Sequence, residues 1–344
     1  MWVLHVDLDQ FLAAVEVLRH PELAGLPVIV GGRGDPTERA VVSTASYEAR
    51  EHGVRSGMPL RTAAKKCPDA VFLPVEKPVY EAASAEVMAV LRSFGTAVEV
   101  LGWDEAFVDA GADADLTSAT ALAHAIQERV LDRTGLHCSV GIGDNKIRAK
   151  NATDFGKPRG AFLLTRDNWW AVMGDRPADG VWGIGGKTAA KLAALGLRTV
   201  REVGDADEER LAAVLGPTMG PWYRRLARGV DASPVDPTPW VPRSHGHEET
   251  FQTDLADPAE IEAQVRRLAA LAARDVVEDG RPAVRVRLKI RYVPFETRTR
   301  STTLAGPTSD AAVIADAAVS LLERTDRTRS VRLLGVAAEM APPT

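Results

Sequence analysis

Only two cysteines, Cys67 and Cys138, occur in 344 residues, far apart and without metal-type spacing. That excludes a disulfide framework or a thiolate zinc site, and predicts two buried thiols in a reducing, cytoplasmic compartment. No stretch approaches the roughly 20 apolar residues needed to cross a bilayer, so no membrane partner is expected. The opening MWVLHVDLDQF has no basic region ahead of its apolar run and reads as a strand rather than a signal peptide. Excess positive charge is missing too: the net charge of -5 argues, as an average, against nucleic acid as a partner. No long internal repeat or low-complexity tract interrupts the chain.

What is present belongs to a globular protein of two to four modules, with 45% hydrophobic and 26% charged residues. The charge is also unevenly placed. Residues 281–300 hold seven cations against the single acid Glu296, a net of +6 inside an acidic chain.

The pattern begins with a strand in WVLHVDL and a helix from Gln10 to Arg19. Strands follow at 26–32 and 40–44, then helical signals in SYEAREHG and PLRTAAKKC, and a long helix from Pro78 to Phe94. A strand pair is expected in EVLGWDEAFVDA, a helix through LTSATALAHAIQERVLDRTG, a strand at 138–143 and a helix in NKIRAKNATDF. This order predicts an antiparallel sheet backed by helices. From 166 to 229 short Ala/Leu-rich helices take over. Residues 230–242 hold four prolines and no periodicity, and read as a linker. Beyond it the pattern is β-α-β-β-α-β, with helices near 257–279 and 309–325. In VRVRLKIRY the apolar Val284, Val286, Leu288 and Ile290 alternate with Arg285, Arg287, Lys289 and Arg291.

Asp7 and Asp9 close an apolar strand, and Asp104-Glu105 lie at a turn between two apolar segments. Carboxylates at strand ends are ligands for hard cations, and two Mg²⁺ ions need several of them together with substrate phosphates. Taken singly, each acid reads as a solvated strand end, and the pairing of two such sites is what favours the metal.

DLDQFLAAVE (7–16), STASYEAR (43–50), GVRSGMPL (53–60), GWDEAFVD (102–109) and SVGIGDNKIRAKNATDFGKPRG (139–160) resemble, in order, the motifs of Y-family translesion DNA polymerases. The DinB, or polymerase IV, branch is the most similar, and the resemblance runs from end to end of the chain. It implies an α+β multidomain, right-hand polymerase. The palm, an antiparallel sheet plus helices, would be 1–9 and 77–165, and small fingers 10–76. A helical thumb with a helix-hairpin-helix would span 166–229, then the linker 230–242 and a β-α-β-β-α-β little finger at 243–341.

The resemblance further implies that Asp7, Asp104, Glu105 and the Leu8 carbonyl hold two Mg²⁺ ions, with Mn²⁺ as a substitute. Phe11, Leu12, Thr44, Tyr47, Arg50 and Lys157 would contact the incoming nucleotide. Arg supplies a planar donor fork for phosphate, and Tyr and Thr donate neutral hydrogen bonds. Two positions depart from the family. Gly102 and Trp103 precede the Asp-Glu pair, where Ser and an aliphatic residue are usual. Leu12 stands where an aromatic steric gate normally excludes a 2′-hydroxyl, so ribonucleotides are expected alongside deoxyribonucleotides.

VWGIGGKTAAKLAALG (181–196) ends a Walker A pattern at Gly186-Lys187-Thr188 but lacks its first glycine and a preceding strand. It suits a helix-hairpin-helix, and Gly183, Gly185, Gly186 and Lys187 are expected to hold DNA phosphates. The alternating face at 285–291, with Arg298 and Arg300 on the next strand, predicts unbalanced cations tracking duplex phosphates, or else a solvated outer strand face. The partners expected are primer-template DNA, dNTPs and rNTPs, acting on a monomer. The C-terminal MAPPT lacks the glutamine-leucine-aromatic tail by which many relatives bind the sliding clamp, which argues against that partner. The leading expectation is a low-fidelity, distributive, lesion-tolerant polymerase. The alternatives are a cyclase-like nucleotidyltransferase on a similar palm, which leaves the later modules idle, and a non-catalytic helix-hairpin-helix DNA-binding protein, which leaves the paired acids unexplained.

Overall fold

The computed structural model describes residues 1–343, which form two compact units. The first comprises residues 1–34, 42–56 and 66–239; the second comprises 35–41, 57–65 and the described residues from Trp240 onward.

The larger sheet of the first unit has five strands in the order Val98–Val100, Glu105–Asp109, Val3–Leu8, Cys138–Gly143, Ala161–Leu164. The first four pair antiparallel, as the pattern predicts. The last, AFLL, is a strand the pattern did not reveal and runs parallel to Cys138–Gly143, so the sheet is mixed. Its central strand VLHVDL is buried on both faces until Asp7. One face is covered by the helices Phe11–Arg19, Lys77–Arg92 and Leu116–Thr134, whose Leu4, Val6, Leu91, Ile126 and Val140 share one core with the sheet.

The helix Lys146–Gly156 lies against the other face, and two glycines set how closely. A Cβ on Gly141 would sit 1.9 Å from Ala149 O, and one on Gly143 would sit 2.3 Å from Ala149 N. Only glycine permits that approach.

A separate three-stranded sheet holds Thr44–Ala45, Val28–Val30 and Val71–Leu73. One expectation is corrected here, and one strand is new. The strand expected at 40–44 is reduced to Thr44–Ala45, because Val41 makes only an isolated bridge to Pro59. The strand VFL at 71–73 was masked by its brevity. Helices between Trp169 and Ala227 close over a third core around Trp169, Leu192 and Leu211. Residues 230–239 carry neither helix nor strand, yet they do not hang free. Val235 is buried with Val3, Phe107 and Ala149, and Asp236 N donates to Glu99 Oε2 at 2.7 Å.

The second unit is a four-stranded antiparallel sheet ordered Glu296–Thr308, Ala283–Tyr292, Val331–Met340, Ser244–Leu255. The helices Pro258–Asp279 and Ala311–Ser320 pack on it, completing the expected β-α-β-β-α-β order. The second helix is shorter than expected because residues 322–324 form a 3₁₀ turn.

Candidate active site

The strand Val3–Leu8 sets Asp7 directly opposite Glu105 in antiparallel register, so the two side chains share a sheet face. Leu8 N donates to Asp104 O at 2.8 Å, which fixes the turn carrying the acidic pair. After Asp9 the chain bends sharply at Gln10, a non-glycine residue at φ 46° and ψ 40°, before the helix Phe11–Arg19 begins. A bend of that kind is held only where its surroundings enforce it; here Gln10 Oε1 accepts from Tyr47 N at 2.5 Å.

His5, two residues before Asp7 and on the same face, was not anticipated. Donor atoms of His5, Asp7 and Glu105 lie within 4.8 Å of one another. His5 Nε2 is 3.2 Å from Glu105 Oε2, and its Nδ1 is 2.8 Å from Thr153 Oγ1.

Three lysines of the helix Lys146–Gly156 and its C-terminal cap each meet an acid from a different strand. Lys146 pairs with Glu99, Lys150 with Glu105, and Lys157 Nζ lies 2.7 Å from Asp7 Oδ1. A spacing of four places Lys146 and Lys150 on one stripe of the helix, and Lys157 follows at its extended C-terminal cap. The alternation signals that expose strand acids could not have revealed Lys146 and Lys150, because the pairing depends on the glycine-set closeness of helix and sheet.

The charges are unequal in their environments. His5 is driven below its ordinary value, first by burial, so the neutral imidazole is favoured. Glu105 is held down at about 2, chiefly by its hydrogen bond to His5 and then by Lys150. Asp104 moves the other way, raised by burial and by the negative charges of Asp7 and Glu105. A site that penalises its third carboxylate while drawing two ammonium groups onto the others has unmet demand for positive charge. A hard divalent cation fits the chemistry of the clustered donors His5, Asp7 and Glu105, with Asp104 beside them on the same turn, and when bound it would supply Lewis acidity toward phosphate oxygens.

The residues expected at the nucleotide are partly committed elsewhere. Tyr47 gives its hydroxyl proton to Asp9 Oδ1 at 2.7 Å, so it can donate to a phosphate only by leaving Asp9. Burial and that bond raise the Tyr47 phenol. Asp9 also accepts from Ser139 Oγ at 2.9 Å and Arg159 N at 2.8 Å, which makes it a bracket rather than a free carboxylate. Arg50 sends Nε to Ala45 O at 2.9 Å and stands 5.0 Å over the Tyr47 ring. Its Nη groups keep no hydrogen bond among the described residues. Thr44 is half-buried opposite Val30. Phe11 is fully buried edge-on to Tyr80, and Leu12 is buried within the same core. Trp103 packs partly buried against that core.

Two family models match this chain: the impB/mucB/samB family over residues 6–154, and its C-terminal domain over residues 242–342. The chain belongs to this family, the Y-family DNA polymerases. It is 50% identical to "DNA polymerase IV 2" of Mycobacterium tuberculosis, covering 99% of this chain and 98% of that one. It is 41% identical to "DNA polymerase IV" of Methanoculleus marisnigri, covering 98% and 94%. Among solved structures, a Y-family DNA polymerase chimera superimposes with a TM-score of 0.87 at 27% identity over 98% of each chain. An insertion ternary complex of Dbh DNA polymerase gives 0.69 at 27% identity over 100% of both. The protein is a DNA-directed DNA polymerase, with the α+β multidomain architecture of the family.

The remaining expected contacts of this polymerase fall in two places. In the first unit, Gly183 takes φ +98°, Gly185 caps the helix Gly186–Ala194, and Lys187 lies in its first turn. The element before the loop is only a 3₁₀ turn, Ala178–Gly180, so one arm of the expected helix-hairpin-helix is abbreviated. In the second unit four of the six expected cations are paired, while Arg291 and Arg300 meet no acid among the described residues. Arg285 and Arg287 each lie 3.8 Å from Glu339, Lys289 Nζ is 2.5 Å from Glu248, and Arg298 is 2.6 Å from Glu296. Counting a window of sequence missed the acids that neighbouring strands bring in. Arg291 instead bonds Thr297 Oγ1 at 2.9 Å. The register also separates the set. Arg298 is opposite Ile290 and Arg300 opposite Leu288, so both lie on the face away from Arg285, Arg287, Lys289 and Arg291.

Proposed function

We propose that this polymerase is of the translesion type, low in fidelity and distributive, and joins nucleotides at Asp7, Asp104 and Glu105 with two Mg²⁺ ions. The observation that carries the reading is the register of Asp7 against Glu105, with Asp104 raised first by burial and then by both charges. In this reading residues 1–9 and 77–165 are the palm, 10–76 the fingers, 166–229 the thumb, 230–242 the linker and 243–341 the little finger.

The chain's own groups do the positioning. Asp7 and Glu105, now balanced by Lys157 and Lys150, would hold the cations, which would leave the Lys157 ammonium and the Arg50 fork for the triphosphate. The neutral His5 keeps Glu105 ionised and aimed. Leu12 lacks the flat ring that would lie beneath a deoxyribose, which leaves room at C2′ and admits ribonucleotides.

Single-nucleotide extension of a primer-template with each dNTP and rNTP, in Mg²⁺ and in Mn²⁺, tests the reading. Wild type should extend with both sugars, and Asp7→Ala should extend with neither. Leu12→Phe should lose rNTP insertion by about 10- to 100-fold while keeping dNTP insertion. Strong rejection of rNTPs by wild type would remove the Leu12 assignment and leave the carboxylates standing.

A further inference from the structure

Among the described residues, Gln10 and Arg159 are the two that hold a left-handed backbone without being glycine, at φ 46° and 61°. Both belong to one network, and the buried Asp9 stands at its centre. Asp9 Oδ1 accepts from the Tyr47 hydroxyl at 2.7 Å and from Ser139 Oγ at 2.9 Å, and its Oδ2 accepts from Arg159 N at 2.8 Å. Gln10 Oε1 accepts from Tyr47 N at 2.5 Å, so consecutive residues grip Tyr47 at its hydroxyl and at its main chain. Strained backbone persists where its surroundings enforce it, and it gathers at functional sites.

The strand end is fixed without the Asp9 side chain, because Leu8 N and Asp9 N already donate to Asp104 O at 2.8 Å and His137 O at 2.9 Å. Nor does Asp9 belong to the donor cluster of His5, Asp7 and Glu105. What its side chain adds is a set spacing between the helix Tyr47–Glu51 and the turn that leads from Lys157 to Arg159. The groups read as triphosphate contacts, Tyr47, Arg50 and Lys157, ride on those two elements. Arg50 stands 5.0 Å over the Tyr47 ring, and Lys157, two residues before Arg159, lies 2.7 Å from Asp7. An ionised carboxylate itself repels a triphosphate. Whatever Asp9 contributes to nucleotide binding therefore comes through the residues it holds.

We propose that Asp9 is a positioning residue for the triphosphate of the incoming nucleotide, holding the Tyr47 ring that carries Arg50 and the turn that carries Lys157 at one spacing. This rests on the reading of Tyr47, Arg50 and Lys157 as the triphosphate contacts.

The test compares wild type, Asp9→Asn, Tyr47→Phe, Lys157→Ala and the double variant of Asp9→Asn with Tyr47→Phe in single-nucleotide extension. Asparagine keeps the size of the side chain, but whichever way its amide turns it sets a donor against Arg159 N or against Tyr47 and Ser139. Asp9→Asn should raise the KM for dNTP about 10-fold, with kcat within about 3-fold and the primer-template concentration for half-maximal rate within about 2-fold. The direction is diagnostic, since loss of a negative charge beside a triphosphate would by itself lower that KM. The Kd for dNTP on a dideoxy-terminated primer-template in Ca²⁺ should rise by the same factor, which separates binding from chemistry. The double variant should lose less than the product of its two single effects, by about 3-fold. Asp9→Glu, which keeps the charge and displaces the oxygens by a methylene, should show the same split and stands in if Asp9→Asn does not fold. A KM that falls or holds in the Asp9 variant while Lys157→Ala raises it, or single effects that simply multiply, overturns the proposal. An unchanged KM in both Tyr47→Phe and Lys157→Ala would instead overturn the reading of the triphosphate contacts.

Discussion

Charge is handled in opposite ways in the two units. Around Asp7 and Glu105 each ionised group is at least half-buried and is met by named partners, Lys157 for Asp7 and His5 with Lys150 for Glu105. On the sheet of the second unit, Arg285 and Arg287 share the single Glu339 at 3.8 Å and remain close to half exposed. Buried pairs lose much when one member is removed, because the other is stranded; exposed pairs contribute little and are screened by salt. The first arrangement fixes a few positions. The second makes a surface whose effect is a sum.

The comparison breaks most decisively at Asp7. Asp7→Ala should cut extension on the order of 10³-fold, while the thermal midpoint in EDTA should move little, since Asp104 loses a repelling neighbour as Lys157 loses its partner. A steady-state extension assay beside calorimetry checks both halves. Next in size, Lys150→Ala should lower kcat about 10- to 100-fold through a misplaced Glu105, with little change in the KM for nucleotide.

A pH experiment sharpens the same contrast. Glu105 is held at about 2 against an ordinary 4.5, by His5 first and Lys150 second. A depressed carboxylate contributes stability above its ordinary value and loses it as pH falls through the folded one. In EDTA the urea midpoint of wild type should therefore keep this contribution at pH 6 and shed it between about 4.5 and 2. His5→Phe should lack most of it already at pH 6. Parallel midpoint-versus-pH curves for the two proteins would contradict the assignment.

In the second unit effects should be small and graded. Glu339→Gln should tighten duplex DNA binding about 2-fold at low salt by releasing Arg285 and Arg287, and the gain should vanish by about 0.3 M salt. Arg287→Ala should weaken it by a similar factor, both read by fluorescence anisotropy. Smallest of all, Cys138, pushed up to about 12 by burial, should not react with a thiol reagent at pH 8 until the protein unfolds.

The first strand, the acidic hairpin and the β-α-β-β-α-β unit were legible because period-two alternation and strand-end acids are local signals. The Asp7–Glu105 juxtaposition follows from them once the two strands pair. His5 shared Asp7's face by the same alternation, but a histidine in an apolar strand reads as core. AFLL and VFL are strands too short to carry a period. The compensating Glu339 and Glu248 lie on other strands, so no window along the chain could contain them. Likewise Val235, inside a proline-rich stretch that reads as free linker, is buried through contacts with Val3, Phe107 and Ala149, residues distant in sequence.

Gly141 and Gly143 bear on how this centre can change over time. With the helix seated on bare backbone, the distance from its lysines to the strand carboxylates is set by main chain rather than by side chains that can vary. Core substitutions elsewhere in the sheet can therefore accumulate without retuning the centre, while any methyl group at either glycine would shift Lys146, Lys150 and Lys157 together. Robustness of the chemistry and fragility of two positions have one origin.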